Sequence, residues 1–166
     1  MMHYTHSPGG VLSVALYYTY GVAPPNLAIM ALGLALGGIG GLLPDIDHSG
    51  SKITKKTGII GLILSKLLSH RGLSHTPILW IGIFGALMYY FPLYQFICLP
   101  LLLGCLSHIL LDALTPQGVP LLAPLSRQKI NFLTIQTGGN IERLCSMILQ
   151  AACLYFIFQL GYQGLF

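Results

Sequence analysis

The sequence predicts an all-α fold, a polytopic membrane helical bundle of about five membrane segments plus a short interfacial or re-entrant helix. Three observations predict it. The chain is too apolar for a water-soluble domain: of 166 residues, 54% are hydrophobic and 7% charged, against roughly 25% charged in soluble domains, and the mean hydropathy is +0.75. Apolar runs of near-membrane length recur along it, separated by proline-bearing turns or by polar loops. Finally, all 8 Lys and Arg residues fall in loops that the threading puts on one side.

A membrane-crossing helix needs about 20 apolar residues. Five stretches approach that length: residues 8–22, 26–43, 77–91, 93–114 and 141–160. The first and third are short, which suits a thin bilayer or partial immersion. The first does not read as a removable leader, because no basic n-region precedes it and no small-residue cleavage site follows. Pro24-Pro25 breaks the first turn and Phe91-Pro92 the second, since proline lacks the N–H that a helix interior needs. In the second segment Gly33, Gly37 and Gly41 fall four apart, a spacing that lets helix backbones approach closely in a membrane. Gly38-Ile39-Gly40-Gly41 has the outline of a nucleotide-binding glycine loop, but no strand precedes it, so packing is the better reading. Residues 58–68 are apolar apart from Ser65 and Lys66 and too short to span. They read as the interfacial or re-entrant helix. The length suits a single domain over residues 1–166.

Charge sets the orientation. Lys52, Lys55, Lys56, Lys66 and Arg71 lie between the second and third segments, Arg127 and Lys129 between the fourth and fifth, and Arg143 opens the fifth. The loops on the other side carry no charged residue. The positive-inside rule then places the basic side in the cytoplasm. The expected location is a bacterial inner membrane, crossed several times, with the N-terminus cytoplasmic and the C-terminus outside. The formal net charge of +4 is dispersed and forms no basic stripe, which argues against nucleic acid as a partner. Membrane lipid is the expected environment and substrate class, and the oligomeric state is left open. Cys98, Cys105, Cys145 and Cys153 sit in apolar runs with no Cys-x-x-Cys pair, so they read as buried thiols rather than a disulfide framework.

Five short polar clusters interrupt the apolar runs: Thr5-His6, Leu43 to His48, His70 to His75, Ser107 to Asp112, and Gly139 to Arg143. Together they hold every Asp and Glu and every His except His3. Segments one, three and five begin on the basic side, and two and four end there, so one layer of the bundle can hold all five clusters. Ionisable groups are costly near hydrocarbon, and their convergence reads as a site.

The chemistry of the clusters is specific. His108 and Asp112 stand at i and i+4 and share a helix face, a spacing at which both can ligate one metal. Asp45-Ile46-Asp47-His48 follows the helix-ending Pro44 with more carboxylate and imidazole than a cap requires. His70-Arg71-Gly72-Leu73-Ser74-His75-Thr76-Pro77 mixes imidazoles, hydroxyls and a guanidinium. Pro77 suits the first helical turn, with Ser74 or His75 near its N-cap, and Arg71 offers a fork for phosphate or carboxylate. Mixed O and N donors without thiolate suit Zn, Mn, Fe or Mg. More donors are present than one tetrahedral ion needs, so the set admits one or two ions.

The chain closely resembles the YdjM-like family of predicted inner-membrane metal-dependent hydrolases. The resemblance is carried by Leu42-Leu43-Pro44-Asp45-Ile46-Asp47-His48, by His70 to Thr76, by the long stretch from Ser107 to Pro124, by Gly139-Asn140-Ile141-Glu142-Arg143, and by the early His6. It implies metal-dependent hydrolysis at the membrane, with His6, Asp45, Asp47, His48, His70, His75, His108 and Asp112 as the metal and acid–base set. Ser74 stands where the family often has Thr, which keeps the hydroxyl. Ala123 replaces a common Trp before Pro124.

The expected function is therefore hydrolysis of a lipid or lipid-linked phosphoester by metal-activated water at the cytoplasmic membrane surface. Zn or Mn is favoured, with Mg or Fe as alternatives. The expected catalytic group comprises Asp47, His70, Arg71, Ser74, Glu142 and Arg143, the arginines stabilising negative charge. Two alternatives belong to other classes. A metal or proton transporter would carry its ligands nearer the bilayer midplane. A non-catalytic membrane protein with a structural metal would fill every coordination position with protein.

Overall fold

Local signals start and stop the helices. Asn26 caps the second helix, its side-chain carbonyl accepting from the Ile29 N–H at 2.9 Å. Pro77 occupies the first helical position after Thr76, where its missing N–H costs nothing. Thr76 is thus the N-cap residue, with Ser74 and His75 just before it as expected, and its hydroxyl donates back to the Leu73 carbonyl at 2.7 Å. The computed structural model describes residues 1–47, 73–126 and 128–163. The interfacial helix expected at residues 58–68 lies outside the described residues.

Among the described residues five α-helices result: α1 (His3–Tyr20), α2 (Leu27–Gly40), α3 (Pro77–Tyr90), α4 (Gln95–Asp112) and α5 (Asn140–Gln163). Short 3-10 turns at Leu43–Asp47, Leu73–His75 and Pro92–Tyr94 accompany them. No strand occurs among the described residues, and the long loop after α4 is pinned by a single antiparallel bridge between Val119 and Ile130. The all-α expectation stands. Among the described residues three stretches are long and apolar enough to cross a membrane: Leu27–Asp45, Pro92–Asp112 and Asn140–Tyr162, at 19, 21 and 23 residues. α3 has 14 residues, or about 21 Å, short of a hydrocarbon core of about 30 Å. α1 begins at His3 rather than residue 8, which puts His6 inside its first turns.

Glycine lets α1, α2 and α4 pack backbone to backbone. A Cβ built on Gly10 would run into the Gly37 carbonyl, and one on Gly104 would come within 2.7 Å of the Gly41 nitrogen. The glycine spacing read from the sequence is thus a packing device. Around this contact lie two apolar clusters. Val14, Ala15, Tyr18, Met30, Leu34 and Leu160 join α1, α2 and α5. Trp80, Phe84, Cys98, Leu102, Cys105 and Ile109 join α3 to α4. The four cysteines are free thiols, three of them buried. α5 turns Leu144, Met147, Ile148, Leu154, Tyr155 and Phe158 outward, a surface suited to lipid rather than water.

Candidate metal centre

The up-and-down order of the helices brings the start of α1, the end of α2, the start of α3 and the end of α4 to one end of the bundle. His6 sits on α1 and is fully buried, as is His108 on α4. The chain leaves α2 through Gly41 and Leu42, and the 3-10 turn that follows presents Asp45. The turn before α3 presents His75, and the last residue of α4 is Asp112. The convergence expected from topology therefore exists as contacts.

His108 is oriented by the backbone. Its Nδ1 lies 2.8 Å from the Gly41 carbonyl, which can only accept, so Nδ1 carries the proton and Nε2 bears the lone pair. That Nε2 is buried with no hydrogen-bond partner. It faces Asp112 Oδ2 at 3.3 Å and Asp45 Oδ1 at 3.7 Å. His75 Nε2 completes the group, 3.5 Å from Asp112 Oδ2 and 3.8 Å from Asp45 Oδ1. Ser74 Oγ lies 3.0 Å from His75 Nδ1, and the Ser74 carbonyl accepts from the Trp80 indole at 2.6 Å.

His6 lies parallel to His108, ring centroids 3.7 Å apart. Its Nε2 is 3.2 Å from Asp112 Oδ1, and the Met1 amine pairs with the same oxygen. His6 stands outside the three candidate spans; burial pushes its imidazole below the ordinary histidine value, opposed chiefly by the hydrogen bond to Asp112. Neutral imidazole is the form that binds metal.

These donors suit a first-row divalent ion. Two groups have ligand atoms all within 4.8 Å of one another: His6, His108 and Asp112, and Asp45, His75 and His108. An ion with bonds of about 2.0–2.1 Å sets tetrahedral ligand atoms roughly 3.3–3.4 Å apart. The imidazole nitrogens of His75 and His108 stand 3.3–3.8 Å from the carboxylate oxygens of Asp45 and Asp112. An unpartnered imidazole nitrogen aimed between two carboxylates is what such an ion would satisfy.

Two other expected site residues, Glu142 and Arg143, have no contact with the His/Asp group among the hydrogen bonds and ion pairs of the described residues. Glu142 is fully buried but faces the start of the chain: its carboxylate accepts from the Met2 N–H at 2.5 Å, the Thr5 hydroxyl at 2.9 Å and the Gly138 N–H at 2.5 Å. No hydrogen bond among the described residues joins it to the His/Asp group. It clasps α5 to the start of α1 through these bonds. Arg143 is exposed at the start of α5. Asp47 closes the 3-10 turn, described in its backbone alone, and His48, His70 and Arg71 lie outside the described residues. Gly41, whose carbonyl fixes the His108 tautomer, and Thr5, which helps hold Glu142, were given no chemical role from the sequence. A backbone acceptor leaves no mark in residue type, so only the nearness of Gly41 to the Asp45 cluster hinted at it.

The profile of the YdjM inner membrane protein family matches residues 1–164. The YvsG protein of Bacillus subtilis (strain 168) is 33% identical over 163 residues, covering 98% of both chains. The inner membrane protein YdjM of Escherichia coli (strain K12) is 37% identical over 113 residues, 65% of this chain and 58% of that one. No solved structure matches. By a family match over nearly its whole length, and by its apolar helices, this chain is a bacterial inner membrane protein that belongs to the YdjM inner membrane protein family.

Proposed function

We propose that the protein is a membrane-embedded, metal-dependent hydrolase acting at the cytoplasmic face of the inner membrane on a phosphoester of a lipid or lipid-linked substrate. The observation that carries this reading is the buried, unpartnered His108 Nε2 facing two carboxylates. His75, His108 and Asp112 would hold the ion, Zn or Mn by their donor types, with Mg or Fe as alternatives. With Asp45 left to act as a base, three protein ligands would remain, the number found in catalytic rather than structural zinc sites. When bound, such an ion supplies Lewis acidity, polarising a phosphoryl oxygen and acidifying water.

The chain's own residues supply the remaining roles. Asp45 is the most exposed member, its side chain 30% accessible against 15% for Asp112, and its separations of 3.7 and 3.8 Å are the longest. It is the member placed to take a proton from attacking water. Arg143, exposed at the start of α5, would supply a guanidinium fork for a phosphate, with Arg71 a second candidate from its place in the sequence. The concentration of Lys and Arg in loops at this end supports a cytoplasmic orientation, N-terminus inside and C-terminus outside. A lipid substrate is favoured because the group sits where helices end, and the ends of membrane-crossing helices meet lipid headgroups.

The test is purified protein with Zn or Mn against panels of phospholipids and lipid phosphates, beside Asp45→Ala and His108→Ala. Turnover by the wild type and loss in both variants is expected. Equal turnover in all three would overturn the reading.

A further inference from the structure

The two stacked imidazoles have opposite tautomers, and this separates their roles. His108 gives its Nδ1–H to the Gly41 carbonyl at 2.8 Å, leaving Nε2 for an ion. His6 is reversed. Its Nε2 lies 3.1 Å from the Met1 carbonyl, and a carbonyl only accepts, so Nε2 bears the hydrogen. The same N–H reaches Asp112 Oδ1 at 3.2 Å. Nδ1, where the lone pair then lies, is buried without a hydrogen-bond partner.

Asp112 is thereby divided. Oδ1 receives His6 and the Met1 amine, while Oδ2 faces His75 and His108 at 3.5 and 3.3 Å. We infer that His6 is a positioning residue rather than a ligand: by donating to Oδ1 it fixes the rotation of the Asp112 carboxylate and presents Oδ2 to a single ion shared with His75 and His108. This rests on the metal-site reading of the previous section. The ion count follows from His108, because one imidazole lone pair serves one ion, so the two overlapping donor groups cannot each hold their own. Hydrogen bonds to ligating carboxylates of this kind typically change metal affinity by about 10–100-fold when removed.

The experiment uses the full chain in detergent micelles, loaded with Zn, with affinity from chelator competition and the number of coordinating imidazoles from X-ray absorption. His6→Gln keeps an N–H near the Nε2 position; His6→Leu removes it. The expected result is an unchanged imidazole count in His6→Gln, affinity close to wild type in that variant, and a loss of about 10–100-fold in His6→Leu. One imidazole fewer in His6→Gln would make His6 a ligand and overturn the assignment. So would equal affinity in all three proteins, or a Gln variant as weak as the Leu variant. Absence of Zn uptake by the wild type would overturn the metal-site reading itself, and the assignment with it.

Discussion

The two ends of the bundle are built from the same helices and do different things. At one end the start of α1 and the end of α4, with the turns after α2 and before α3, press three imidazoles and two carboxylates together. At the other, Tyr17, Tyr18, Pro24, Pro25, Phe96 and Pro100 line a cavity of about 400 Å³. That cavity is chemically poor: its lining holds no acid, no imidazole and no basic residue. What marks the candidate site is donor atoms held without hydrogen-bond partners in a buried setting, where leaving them so is costly.

The sharpest way to break this contrast is to remove a donor. Asp112→Ala and His108→Ala should each weaken Zn binding by more than about a hundredfold, beyond the range seen when only an outer partner is lost. Chelator competition reads this directly. Binding that survives both changes would mean the ion, if any, sits elsewhere.

The second largest effect should come from the glycine contact that serves both ends. Gly104→Ala puts a Cβ against the backbone at Gly41, and overpacking of that kind costs about 1–3 kcal/mol. Because the Gly41 carbonyl orients His108, the change should lower both the melting temperature in detergent and the Zn affinity. Gly33→Ala meets the phenol oxygen of Tyr18, at the far end. It should lower the melting temperature and leave Zn affinity alone. Parallel losses in both variants would show that the two ends are not separable.

Much of this was legible in the sequence, for identifiable reasons. Helices α2, α4 and α5 are marked by apolar runs that only a bilayer accommodates, and the glycines of α2 by their spacing. The meeting of His6, Asp45, His75, His108 and Asp112 followed from the parity of the segments, since alternate helix ends must share a side. The roles within the group were not legible. Whether an imidazole donates or ligates depends on which carbonyl faces which ring nitrogen, and Gly41 and Met1 acquire those positions only in the packed chain. The partners of Glu142 were hidden for a similar reason: two of its three donors are the backbone N–H groups of Met2 and Gly138, which residue type does not mark.

Glu142 offers an intermediate test. Glu142→Ala strands three donors, and a lost hydrogen bond to a charged group costs about 1.5–3 kcal/mol. The melting temperature should fall. Zn affinity should fall less than in Asp112→Ala, since the clasp touches the ion's donors only through the position of α1. An equal loss of affinity would place Glu142 among the groups that hold the ion.

The smallest expected effect is the most informative about mechanism. Leu99 lines the far cavity and lies about 13 Å along α4 from His108, at about 1.5 Å per residue. Leu99→Trp narrows that cavity. Sites so separated, with no shared partner, usually act independently to within about 0.5 kcal/mol, or roughly twofold in affinity. Zn binding and turnover should therefore stay at wild-type levels. A hydrolase needs its ion at one end and has no use for a path between the two. A transporter would couple them, because ions leaving the His/Asp group must pass toward the opposite side. A large change in Zn affinity, or Zn flux into proteoliposomes that Leu99→Trp blocks, would join the two ends into one pathway and replace hydrolysis with transport.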